Sequence, residues 1–183
     1  MIARRRAIVA GAFVGVAAVA LFAAVHAMII VPIWWRLASG IPFALVTGAA
    51  AGWAFAELHD AAEPTLADAL RFGLLLWLAL LPTTALGIAL RASGFHAAHD
   101  NWETTIECAV AVATGALIAW RLTHRLLPTL ALATATLTLV LTMGGPLLVL
   151  NGRRPVLLFV AFLPLLLTSA TLLALAVRRR TRR

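Results

Sequence analysis

Apolar residues fill this chain in long unbroken runs, and the polar residues gather in the gaps between them. Six runs are long enough to cross hydrocarbon: roughly 7–31, 40–58, 70–91, 104–121, 128–150 and 155–177. About 20 residues at a rise of about 1.5 Å per residue span a bilayer core, so each run predicts a transmembrane α-helix. The connections between them are short and leave no space for a separate soluble domain. Residues 1–183 therefore read as one all-α, polytopic transmembrane helical bundle with six spans.

Composition agrees. The 183 residues are 63% hydrophobic and 12% charged, with a mean hydropathy of +0.99; a soluble domain is nearer half apolar and a quarter charged. All 15 basic residues are Arg, with no Lys and no Tyr, a bias that fits a GC-rich bacterial genome. The net charge of +8 invites a nucleic-acid reading, but the Arg residues sit at helix ends and termini, where they act as topology signals. Six spans put Arg4, Arg5, Arg6, Arg71, Arg121, Arg125 and the terminal Arg178, Arg179, Arg180, Arg182 and Arg183 on one side. Only Arg36, Arg91, Arg153 and Arg154 fall on the other. This positive-inside bias predicts both termini in the cytoplasm, in a bacterial inner membrane. The terminal Arg run also suits anionic lipid headgroups.

Arg4-Arg5-Arg6, an apolar stretch and Val25-His26-Ala27 resemble a secretory signal. The stretch is longer than a signal's usual apolar region and continues through Ile33, so a retained first helix is expected. Cys108 has no partner for an internal disulfide and no metal-type spacing. Trp34 and Trp35 with Arg36 predict an outer interfacial anchor, and Trp53 and Trp120 a cytoplasmic one.

Small residues recur every fourth position as Gly40, Ala44, Gly48, Gly52 and Ala56, as Gly11 and Gly15, and as Ala111, Gly115 and Ala119. Such stripes let helix backbones approach closely, within the chain, in a homo-oligomer or against another membrane protein. Thr134, Thr138 and Thr142 form a hydroxyl stripe. Gly144-Gly145-Pro146 and Pro164 predict kinks or breaks in the fifth and sixth helices. Thr47-Gly48-Ala49 with Trp53, and Thr114-Gly115-Ala116 with Trp120, hint at a repeated hairpin.

The chemistry concentrates in His96-Ala-Ala-His99-Asp100-Asn-Trp-Glu103-Thr-Thr-Ile-Glu107. On a helix, His96, His99, Asp100, Glu103 and Glu107 fall within an arc of about 100°. Glu107 is a carboxylate one turn inside an apolar run, and its spacing of four continues into Ala111, Gly115 and Ala119. It should face another helix rather than lipid, where ionisable groups are costly and usually functional. Asp100 and Glu103 also suit helix capping and the positive end of the helix dipole. His26, on the close-packing face of the first helix, is a candidate partner for Glu107, and Arg91 an alternative salt-bridge partner. His26, His96, His99, Glu103 and Glu107 are candidate ligands for a divalent metal. On the cytoplasmic side Glu57, His59, Asp60 and Glu63 read as a solvated loop, with Asp68 pairing Arg71. Pro82-Thr83-Thr84 would open or bend the third helix.

No phosphate-binding Gly-rich loop, nucleophile elbow or Cys-x-x-Cys is present. Three readings follow: metal-ion or proton-linked transport through an outer-face His/carboxylate site, a haem-binding redox subunit with His26 and His96 or His99 as axial ligands, or a non-catalytic subunit or assembly factor.

Overall fold

A computed structural model describes residues 2–29, 34–59, 63–94, 100–148 and 155–178. Among the described residues the chain is all-helical, without strands. Its helices are α1 (Ile2–Ile29), α2 (Trp34–Leu58), α3 (Leu66–Ala92), α4 (Asp100–Thr123), α5 (Leu126–Leu148) and α6 (Pro155–Arg178). Three of them are long and apolar enough to cross a membrane, over Ile41–Leu58, Leu66–Leu90 and Trp102–Thr123. Leu126–Thr142 and Phe162–Arg178 are shorter apolar stretches. Outward faces are apolar too, with Phe13, Val46, Leu117 and Leu172 all exposed, as suits hydrocarbon rather than water.

The helices start and stop for local reasons. Thr65 and Asp68 form a reciprocal cap at the start of α3: the Thr65 amide donates to Asp68 Oδ2 (2.9 Å), and the Asp68 amide to Thr65 Oγ1 (3.2 Å). Gly94, with φ of 77°, follows α3 and supplies the left-handed turn common after a helix end. His124 takes the same role after α4 at φ 52°, its amide bonding the Trp120 carbonyl (2.8 Å). The α4–α5 connection is thereby held to two residues. Pro42, Pro82 and Pro164 lie inside helices, and α5 runs through Gly144-Gly145-Pro146 to Leu148. The expected breaks do not occur.

Packing closes the helices into a ring in the order α1, α2, α5, α4, α3, α6 and back to α1, with α3 and α5 also touching across it. The tightest seam is α1 on α2. Gly11 opposes Gly48 and Gly52, and Gly15 opposes Ala44 and Gly48, so the two helices are antiparallel. The carbonyl oxygens of Gly11 and Gly48 each occupy the space that a Cβ on the other would fill. Without side chains between them the backbones touch, the main source of helix association in lipid. The α2 stripe is thus used within the chain, against α1. At the base of this seam Arg4 Nε pairs with Glu57 Oε1 (2.5 Å), which also accepts from Trp53 Nε1 (3.1 Å).

Two hydroxyl bridges tie α5 to its neighbours. Thr136, fully buried, donates to the Ala111 carbonyl of α4 (2.9 Å), and its Oγ1 fills the gap left by Gly115. Thr47 of α2 meets Thr142 Oγ1 (2.6 Å) and the Thr138 carbonyl (3.1 Å). Thr134, Thr138 and Thr142 bond carbonyls of their own helix one turn back, as their stripe leads one to expect. The Thr47/Thr114 repeat does not extend to contacts: Thr114 bonds only within its own helix, to Val110.

Candidate functional site

The stripe of α4 is oriented as its spacing implies. Ala111, Gly115 and Ala119 are buried, and Glu103, at 2% exposure, is buried with them. Glu107 is half-buried one turn further along. Its Oε1 lies in the space that a side chain on Gly87 of α3 would take. The missing side chain at Gly87 is therefore what lets the carboxylate lie against the α3 backbone. Both glutamates engage partners.

Gly87 shares its face with Thr83, one turn earlier on α3 and 5% exposed. Among the described residues the buried Thr83 hydroxyl has no hydrogen-bond partner. Its neighbour Thr84 makes the usual bond to the carbonyl four residues back, at Leu80 (3.0 Å). A buried hydroxyl left unpaired costs about 1–3 kcal/mol, so Thr83 is an uncommon feature of the helix interior. Pro82, on the exposed side of α3, cannot donate to the Leu78 carbonyl. The contact between α3 and α4 that joins these residues is that of Glu107 with Gly87; Thr83 and Glu103 are each buried one turn away, on their own helices.

Other expected members are distributed differently. His26 lies on α1 and Arg91 near the end of α3, but both side chains are outside the described residues, as are that of Asp100 in the first turn of α4 and the whole of His96 and His99. In the ring, α1 packs on α2 and α6, while α4 packs on α5 and α3. Among the described residues α1 and α4 are thus not neighbours in the ring. Among the described residues no three His, Cys, Asp or Glu side chains gather as a metal would require. Gly87 and Thr136 escape the sequence reading; a glycine four residues after a Pro-Thr step was the available signal for the first.

Of the cluster read as a solvated loop, Glu57 and His59 are held by neighbours, Glu63 is exposed, and Asp60 lies outside the described residues. Glu57 is ion-paired with Arg4. The ring of His59 stacks on Phe55 (centroids 4.9 Å) and meets Phe72 edge-on (6.2 Å), with Nδ1 3.3 Å from the Phe55 carbonyl. Burial pushes the imidazole below its ordinary value of 6.5, against smaller opposing effects of the Phe55 carbonyl and Asp68. The unfolded chain then takes up the proton first. Stability from this packing is intact above about pH 6.5 and declines as pH falls toward the folded-state value. Melting of the detergent-solubilised protein should shift down between about pH 7.5 and 5.5. His59→Phe, which keeps a stacked ring, should reduce that shift; an equal shift in the variant would refute this account.

Comparison with protein-family models, with curated proteins and with solved structures finds no match to this chain.

Proposed function

We propose that this is a multi-pass protein of the bacterial cytoplasmic membrane, with six spans and both termini in the cytoplasm. Its activity in this reading is proton- or cation-linked transport through a carboxylate site centred on Glu107. The observation that carries the proposal is the Glu107 carboxylate seated on Gly87 in the interior of the bundle, with Glu103 buried one turn away on the same helix. Ionisable groups facing the interior of a membrane bundle mark ion paths and proton relays. The described donors are all oxygen, which suits a proton or a hard cation better than haem iron or a thiolate-seeking metal. The arginine asymmetry supports the threading, and the apolar outer faces support the membrane location.

The test is uptake into vesicles reconstituted with purified protein and loaded with a pH-sensitive dye, under imposed proton, sodium and manganese gradients. Wild-type protein should give a gradient-dependent signal, and Glu107→Gln should abolish it while inserting and melting normally. An undiminished signal in the variant would overturn the reading. A Soret band in the purified protein, lost on His26→Ala, would favour the haem alternative instead.

A further inference from the structure

The α4–α5 connection gathers basic and apolar groups at the end of a helix long enough to cross a bilayer. Helix α4 is apolar over Trp102–Thr123, so its end and the turn that follows lie at a membrane surface. The exposed side chains there are Trp120, Leu122, Leu126 and Leu127, with Arg121 and Arg125 among them. The backbone of the turn is bonded to its own residues. Thr123 Oγ1 donates to the Ala119 carbonyl (2.8 Å) and accepts from the Arg125 amide (3.3 Å), and Thr129 Oγ1 donates to the Arg125 carbonyl (2.7 Å). The His124 ring meets the Trp120 indole edge-on (centroids 5.9 Å). Both arginines are thus carried on a fixed backbone, and what the turn leaves unmatched is their charge.

Carboxylates that could balance that charge are missing or engaged. No Asp or Glu occurs between Cys108 and Arg183, so the end of α4, α5 and α6 carry none. The neighbouring helices α2 and α3 hold one each, and both have partners: Glu57 has Arg4 and Trp53, and Asp68 has Thr65. Among the described residues neither Arg121 nor Arg125 has an ion pair. Two uncompensated guanidinium groups within five residues, set among an indole and three leucines at membrane level, match an anion that is itself part of the bilayer. We propose that this turn holds the phosphate of an anionic phospholipid, with Arg121 and Arg125 supplying the charge. A guanidinium fits phosphate in shape as well as in sign. Trp120 suits the interfacial level of the lipid, and Leu122, Leu126 and Leu127 meet its acyl chains. A nucleic acid or an acidic peptide would leave those apolar side chains in water. The inference needs only the membrane location, and is independent of the Glu107 site and of the side on which the turn lies.

Photo-crosslinking of the full chain in detergent tests it, with phosphatidylglycerol or phosphatidylcholine carrying a diazirine beside the headgroup and adducts mapped by peptide mass spectrometry. The phosphatidylglycerol probe should label residues 120–130, and unlabelled phosphatidylglycerol should displace it where phosphatidylcholine does not. In the double variant Arg121→Gln, Arg125→Gln the concentration for half-maximal labelling of that segment should rise about 25-fold, two basic side chains at an anionic surface contributing about fivefold each. Equal labelling of the segment by the two probes, or unaltered labelling of the folded double variant, would overturn the proposal. Should the double variant fail to fold, salt decides with the wild type alone. Raising the ionic strength from about 0.05 M to about 0.5 M shortens the reach of exposed charges, so labelling by the phosphatidylglycerol probe should fall, and salt-independent labelling refutes the site. Glu107→Gln, the variant that tests transport, should label as the wild type does, so the two proposals can fail separately.

Discussion

Gly48→Ala is expected to lower the melting temperature of the purified protein sharply, although it adds one methyl group. The obstacle it meets is the carbonyl of Gly11, which belongs to a helix backbone and has no rotamer to change. Overpacking usually costs about 1–3 kcal/mol, and a backbone obstacle puts this substitution at the upper end of that range. Gly11→Ala strikes the same crossing from the other side. Once either has parted the helices, the second has less contact to destroy, so the double variant should lose less than the sum of the single losses. Val46→Ala, on the exposed face of the same helix, provides the control and should stay within about 0.5 kcal/mol of wild type. Thermal melts in one detergent separate the three cases. A Gly48→Ala protein that melts with the control would mean the α1–α2 seam is not close-packed.

Gly87→Ala should do the reverse, leaving the fold intact and removing the uptake that the proposed function predicts. The atom in the way is Glu107 Oε1, the far end of a flexible side chain, so α3 and α4 need not separate. Alanine is also the better helix former, by about 1 kcal/mol, which favours unchanged or slightly raised stability. The carboxylate, however, is lifted off the α3 backbone. Gradient-driven uptake should fall to the level of Glu107→Gln in vesicles carrying equal amounts of protein. Wild-type uptake by Gly87→Ala would show that the seat of Glu107 does not matter, and would leave the carboxylate without a role for its surroundings.

These two glycines also show what could be read without coordinates. Gly48 was legible because it belongs to a stripe of five small residues, and a repeat of four fixes the face of a helix whatever lies opposite. Glu107 was legible for the same reason, through Ala111, Gly115 and Ala119. The stripe names a face and not the neighbour. Spacing assigns His26 and Glu107 each to a close-packing face, yet among the described residues their helices are three places apart in a ring of six. Ring order depends on how all the faces match at once, which no single helix encodes. Gly87 stood alone, so nothing periodic announced it. Glu57 looked solvated because a carboxylate at a helix end has the same local sequence whether it meets water or Arg4. Thr136 lies off the Thr134–Thr138–Thr142 stripe, and only the approach of Gly115 gives it a role.

The ring order also bears on how the protein is made. Helices are made in their order along the chain, and α1 and α2 can join as soon as both have emerged. Their neighbours α5 and α4 can pair likewise across a two-residue turn. The gap between α1 and α3 stays open until α6 arrives, because α6 alone lies between them in the ring. For that interval the interior of the ring is a cleft with one open side. Whatever occupies it when α6 docks is enclosed by the act of completion.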